Sequence, residues 1–240
     1  MLSASWVLGS FLDWLALFAM LLCWVGYTVY SRRKGRETPC LASVLALYRR
    51  DWMLRLLKRD NRIADASLLT NLRAGVSFFA STSILVIAGL IAGIAASEEA
   101  VGILSTFPFV STTTRELWEF KVLVMVIIFV YSFFEFTWSH RLYNFASVIM
   151  GSAPLCEDID GRPVEQQVFA TRAGQIMTEA AYHFNLGLRA YYFAMASMAW
   201  FINPWLLILM SMLVVVILYC REFHSKVLKV LASSEKQINI

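Results

Sequence analysis

Charge is what this chain has little of. Asp, Glu, Lys and Arg make up 16% of its 240 residues, against about 25% in an ordinary soluble domain. Hydrophobic residues make up 59%, and mean hydropathy is +0.62. This balance excludes a typical soluble domain and fits an integral membrane protein. The chain also lacks internal repeats, low-complexity stretches and Gly/Ser linkers, so it reads as one integral membrane domain over residues 1–240. It contains no HExxH, GxSxG, P-loop or GxGxxG motif, and Ser139 beside His140 is a chance-level adjacency rather than a nucleophile with its base. The reading therefore leans away from an enzyme. The cysteines, Cys23, Cys40, Cys156 and Cys220, form no CxxC pair. Each falls in a helix or on the side read below as cytoplasmic, so no disulfide is expected.

What the chain does have is long apolar runs: Trp6 to Tyr30, Val76 to Ala96, Val122 to Phe134, Leu188 to Ile202 and Trp205 to Cys220. A spanning helix needs about 20 mostly apolar residues. The first two runs meet this length, the third does so with Glu135 to Arg141 included, and the fourth if it reaches back to His183. The fifth is slightly short, but Arg221 and Lys226 can snorkel at its end. The first run has no basic segment before it and is long for a signal-peptide core, so it reads as a retained helix.

Basic residues set the expected orientation. The first connection, Ser31 to Arg73, is rich in Arg and Lys. The second, Ser97 to Lys121, holds Arg115 and Lys121 against Glu98, Glu99, Glu116 and Glu119. The third connection holds Arg141, Arg162 and Arg172, and the tail holds Arg221, Lys226, Lys229 and Lys236. Because basic loops mark the cytoplasmic side, the expectation is an all-α bundle of five transmembrane helices. Its N-terminus is outside and its C-terminus cytoplasmic. The spans cover about 6–30, 74–96, 120–141, 183–202 and 205–221. Joining the last two through Asn203-Pro204 would give one segment of about 38 residues, far beyond the ~20 that one span needs, so a tight hairpin is expected there.

A further helix is expected over about 41–60. It places Leu41, Val44, Leu45, Tyr48, Trp52 and Leu56 on one rough face, with Arg49, Arg50 and Lys58 elsewhere. This reads as an interfacial cytoplasmic helix attracted to anionic lipid headgroups. The alternative is a solvated basic helix that helps to set topology. Nucleic acid is not an expected partner, because the segment is tethered between two spans. The loop Ser97 to Thr114, with Phe107-Pro108-Phe109, is too short for a folded external domain. Asp158-Ile159-Asp160-Gly161 reads as a turn, and Pro163 suits the first turn of the next helix.

Gly89 and Gly93 form a GxxxG motif in the second span. Small residues at this spacing let helix backbones approach closely, either within the chain or between copies of a homo-oligomer.

The remaining signal is a polar layer. Glu135, His140, Arg141 and Asn144 close the third span, and Glu179, His183, Asn185 and Arg189 open the fourth. Ionisable side chains in a membrane are costly and are functional-site candidates by default. At a rise of about 1.5 Å per residue, Glu135 and Arg189 both sit about 9 Å inside the cytoplasmic edge, so they are expected to pair. The pair would serve either to fix helix register or to line a wet cavity. His140 and His183 reach the same depth as each other, near the inner edge. With Glu179 they are weak candidates for haem or metal, because the intervals depart from the Glu-x-x-His spacing of carboxylate–histidine bundle sites. No cofactor is expected. Asp13 is the outlier, near the outer end of the first span, where a wet or interfacial position is expected.

The strings Glu135-Phe136-Thr137-Trp138-Ser139-His140-Arg141-Leu142-Tyr143-Asn144, His183-Phe184-Asn185-Leu186-Gly187-Leu188-Arg189-Ala190-Tyr191-Tyr192-Phe193 and Asn203-Pro204-Trp205 resemble the bacterial and plant membrane proteins grouped as domain of unknown function 599. The family's usual hairpin form is Gly-Pro-Trp. Asn203 departs from it, although asparagine also tolerates turn geometry. The resemblance implies an integral membrane protein with no established activity, and it supplies no catalytic residue. The expected protein is a multi-pass component of a bacterial inner (cytoplasmic) membrane. It would be a non-enzymatic channel, transporter-like protein or scaffold, possibly oligomeric, with a polar site facing the cytoplasm. The alternatives are a haem- or metal-binding redox component using His140 and His183, and an accessory subunit of a larger membrane complex.

Overall fold

The computed structural model describes residues 11–104, 114–159 and 161–231. Among these the structure is all helical: α1 Phe11–Glu37, α2 Leu41–Leu56, α3 Ile63–Ala95, α4 Ser97–Leu104, α5 Arg115–Gly151, α6 Cys156–Ile159, α7 Pro163–Ser197, a 3-10 turn Met198–Phe201, and α8 Pro204–Phe223. Four segments are long and apolar enough to cross a membrane: α1, α3, α5 and Pro204–Leu231, which begins with α8. The helical form follows from the solvent. In hydrocarbon every backbone N–H and C=O must be satisfied within the segment, which a helix achieves by itself. The expected fourth span, 183–202, forms the second half of α7, which is not among these four segments. Several helices extend well beyond their apolar runs. For example, α3 begins at Ile63 and α5 continues to Gly151.

Local signals explain the helix ends. Pro39 follows α1, whose last turn carries Lys34 and Arg36 against the negative end of the helix dipole. Cys40 caps α2, and its backbone N–H donates to Ser43 Oγ at 2.9 Å. Pro163 opens α7, where its fixed φ suits the first turn. Gly161, just before it, has φ 73°, a conformation that glycine adopts at little cost. At the hairpin, Asn203 Oδ1 accepts the Trp205 N–H at 2.9 Å. Its side chain thus satisfies a free N–H at the start of α8, which a glycine at this position could not do. The loop between Ser97 and Thr114 holds the unexpected α4, and Phe107-Pro108-Phe109 lies outside the described residues.

The chain divides into two compact units. The first comprises residues up to Arg33, Thr82–Phe133 and Leu188–Tyr219. Its core joins Ala16 and Met20 of α1, Met125, Ile128 and Phe129 of α5, Ala190, Phe193 and Ala194 of α7, and Trp200 and Leu207. The second unit comprises Lys34–Ser81, Phe134–Gly187 and the residues from Cys220 on. Its centre is a cluster of Phe79, Phe136 and Phe184, with ring centroids 5.4–5.7 Å apart. In this unit α7 packs closely through small residues. A Cβ placed on Gly174 would lie 2.9 Å from the Arg50 Cα of α2, and one on Gly187 would lie 2.6 Å from the Phe136 ring. The GxxxG pair behaves differently: among the described residues nothing lies within 4 Å of a Cβ built on Gly89 or Gly93.

Candidate functional site

The polar residues of α5 and α7 follow the azimuth of each helix as well as its depth. Glu135 Oε2 lies 2.7 Å from His183 Nδ1. The two side chains keep 15% and 25% of their exposure, so the pair is shielded but still reachable. Ser139 Oγ, one turn further along α5, donates to the Ala180 carbonyl of α7 at 2.6 Å. These two bonds bracket the α5–α7 contact in the second unit.

The expected pairing of Glu135 with Arg189 gives way to other partners. Arg189 belongs to the first unit, where its Nη2 donates to Ser31 Oγ at 2.9 Å and its guanidinium lies 5.2 Å from the Tyr27 ring centroid. Six residues separate His183 from Arg189. At about 100° per residue their side chains leave α7 about 120° apart. The register differs as well, because Arg189 lies about 9 Å further along α7 than the His183 that meets Glu135.

His140 also has its own partner, with Nδ1 lying 3.0 Å from Ser77 Oγ of α3. Glu179 and Asn185 are exposed and Asn144 is half-buried. Among the described residues no group of three or more His, Cys, Asp or Glu side chains gathers as a metal site would require.

An open cleft of about 420 Å³ lies over the Glu135–His183 pair. It is lined by Phe134, Glu135, Thr137, Trp138, Arg141 and His183. Trp138 meets the His183 ring edge-on, with centroids 6.2 Å apart. Arg141 rests between two aromatic rings of its own helix, 5.9 Å from the Trp138 centroid and 5.6 Å from that of Phe145. Among the described residues no carboxylate lies within ion-pair distance of Arg141.

Arg50 of α2 and Lys58 just after it are exposed, while Arg49 of α2 is half-buried. Burial pushes the Arg49 guanidinium below its usual value, and the nearby Tyr143 phenol partly opposes this. Beside α2, Asp65 is fully buried, and its Oδ1 accepts Trp52 Nε1 at 2.6 Å and Arg59 Nη1.

Sequence reasoning missed a second polar cluster, in the first unit. Lys121 and Asp13 are buried, with Nζ and Oδ1 3.5 Å apart. Trp200 Nε1 donates to Asp13 Oδ1 at 2.8 Å, and Lys121 Nζ donates to the Trp200 carbonyl at 3.0 Å. Asp13 therefore lies in the protein interior and not in the wet position expected for it. The available signal was a lone carboxylate in an apolar helix, together with a lysine directly abutting an apolar run.

Helices of membrane length and apolarity, recurring four times among the described residues, define a multi-pass membrane protein. The chain belongs to the family described as "Protein of unknown function, DUF599", which matches residues 15–227. No curated protein and no solved structure matches it.

Proposed function

We propose that this is a five-span membrane protein with its N-terminus outside and its C-terminus in the cytoplasm. It acts without enzyme chemistry as a channel or transporter-like protein, and the Glu135–His183 pair is its working element. One observation carries this reading: two titratable side chains from different helices, joined at 2.7 Å, lie on an open cleft and not in a sealed core. Contact with water spares any such pair part of its desolvation cost, but a structural pair does not depend on it. A pair that must exchange protons or ions needs that contact. The basic first connection supports a cytoplasmic position for this end of α5, and a bacterial inner membrane is the proposed location. Arg50 of α2 and Lys58 just after it are the proposed contacts to anionic headgroups, with Arg49 half-buried near Tyr143.

The protein is also proposed to self-associate through α3. Only 6% of the most apolar window of this helix is buried, and Gly89 and Gly93 have open space before them, as a GxxxG contact between copies requires.

Proteoliposomes loaded with a pH-sensitive dye and given a potassium gradient test the transport reading. The wild type is expected to dissipate the gradient faster than empty vesicles, and Glu135→Gln and His183→Gln are expected to remove most of the difference. Flux that is unchanged in both variants reduces the pair to a structural element. Oligomeric mass in lipid discs tests self-association, with Gly89→Ile and Gly93→Ile expected to give monomers.

A further inference from the structure

We propose that the cleft over Glu135 and His183 holds the headgroup of one anionic phospholipid, with the Arg141 guanidinium on its phosphate. This rests on the reading that the Arg141 end of α5 lies at a headgroup layer. The argument begins with the order of side chains along the cleft. Phe134 is 63% exposed and apolar. Thr137 and Trp138 follow one turn later, and Arg141 one turn after that. The rise from Phe134 to Arg141 is about 10 Å. The headgroup layer on one side of a bilayer is roughly 5–7 Å thick, so this wall covers the phosphate and the first acyl carbons. Its polarity changes in the same order as that of a phospholipid: hydrocarbon, interfacial indole, then cation.

Arg141 supplies the second argument. Most exposed arginines find a carboxylate or move freely. Here the guanidinium is held between Trp138 and Phe145 and has no ion-pair partner among the described residues. Both rings lie within cation–π distance of the guanidinium, and this attraction leaves its N–H donors available. Those donors match two phosphate oxygens in a bidentate contact. The only carboxylate lining the cleft, Glu135, is engaged by His183 Nδ1, so an incoming anion meets a carboxylate that already has a partner. His183 Nε2 remains as a further polar atom for a headgroup hydroxyl.

A volume of about 420 Å³ accommodates a glycerophosphate headgroup but not a whole lipid. The acyl chains would then run over Phe134 into the bilayer. A soluble phosphate ester shares the headgroup chemistry but makes no use of the exposed Phe134.

Native mass spectrometry of the full chain tests the proposal. The protein is released from vesicles of equal phosphatidylglycerol and phosphatidylcholine. The wild type is expected to retain one phosphatidylglycerol per chain in preference to phosphatidylcholine. Arg141→Gln is expected to weaken that retention roughly tenfold, as loss of one charge-assisted contact implies. Arg172→Gln, another exposed arginine, is expected to leave it unchanged. Equal retention of the two lipids, or retention that Arg141→Gln does not alter, overturns the proposal. Displacement of the lipid by an equal concentration of glycerol phosphate also overturns it, because a soluble ester would then be the ligand.

The topology is read separately, by labelling Glu179→Cys with an impermeant maleimide in oriented vesicles after the native cysteines are changed to serine. Labelling from the outer side overturns the cytoplasmic assignment and leaves a positive lipid result standing in the opposite leaflet.

Discussion

Lys121 Nζ and Asp13 Oδ1 lie 3.5 Å apart, with 1% and 8% of their side chains exposed. Trp200 touches both, donating its indole N–H to Asp13 and accepting Lys121 at its carbonyl. The cluster joins α1, α5 and the 3-10 turn that follows α7. The Lys121 contact also satisfies a carbonyl where the α7 hydrogen-bond ladder ends.

Removing one partner of this cluster is expected to do more harm than removing both. Lys121→Met leaves a buried carboxylate without its cation, and loss of one partner of a buried pair costs about 3–5 kcal/mol. The double variant Asp13→Asn with Lys121→Met buries no net charge, and Asn keeps an acceptor for Trp200. It is expected to recover most of the loss. Thermal unfolding in detergent across the four-member cycle checks this. A double variant that falls by the sum of the two single changes would mean that the charges do not interact.

The glycines of α7 are expected to tolerate less change than those of α3. Gly174→Ala places a methyl 2.9 Å from the Arg50 Cα, and Gly187→Ala places one 2.6 Å from the Phe136 ring. The first contact is with backbone and the second with a fully buried ring, so neither neighbour yields easily. Overpacking of this kind costs about 1–3 kcal/mol. Gly89→Ala meets open space and is expected to leave the melting temperature of the monomer unchanged or slightly higher, since alanine is the better helix former. Melting curves of the three variants in one detergent decide the order.

These glycines also show what the sequence could reveal. The GxxxG motif of α3 stood out because its spacing is regular, yet the close approaches occur at Gly174 and Gly187, which follow no such pattern. Helix content, Pro163 at a helix start and the Asn203-Pro204 hairpin were legible because each rests on local chemistry. The polar layer was legible in part. Depth follows from residue count and matched Glu135 with Arg189, which lies six positions, or about 9 Å, further along α7 than the His183 that Glu135 meets. Which of two arginines or histidines faces the carboxylate depends on helix rotation, which a count along the axis does not supply. Asp13 and Lys121 needed knowledge of which helices are neighbours, which no local signal carries.

Arg62 is expected to hold the turn after α5. Its Nη1 and Nη2 donate to the carbonyls of Ala153 at 2.8 Å and Pro154 at 2.5 Å. These carbonyls lie just past the helix end, where no further turn supplies N–H groups to donate to them. Hydrogen bonds to a charged donor are worth about 1.5–3 kcal/mol, so Arg62→Ala is expected to loosen this turn locally without unfolding the bundle. Limited proteolysis in detergent should then cut between Gly151 and Pro163 faster than in the wild type while the melting temperature moves little. An unchanged cleavage rate would show that the turn is held by other contacts.

The Glu135–His183 pair predicts a coupling that the depth-based pairing does not. Among the described residues, the polar contact of each partner is the other. Glu135→Gln and His183→Gln should therefore be non-additive, with an interaction energy within the ~0.5–3 kcal/mol found for residues in direct contact. Partial exposure of both side chains lets water compensate for a lost partner, which favours the lower half of that range. Glu135→Gln combined with Arg189→Gln should add within about 0.3–0.5 kcal/mol, as expected for groups that share no partner, because Arg189 is held by Ser31 and Tyr27. Two double-mutant cycles on unfolding in the same detergent separate the cases. Coupling of Glu135 to Arg189 that matches or exceeds its coupling to His183 would move the working pair back to the position that depth alone assigns.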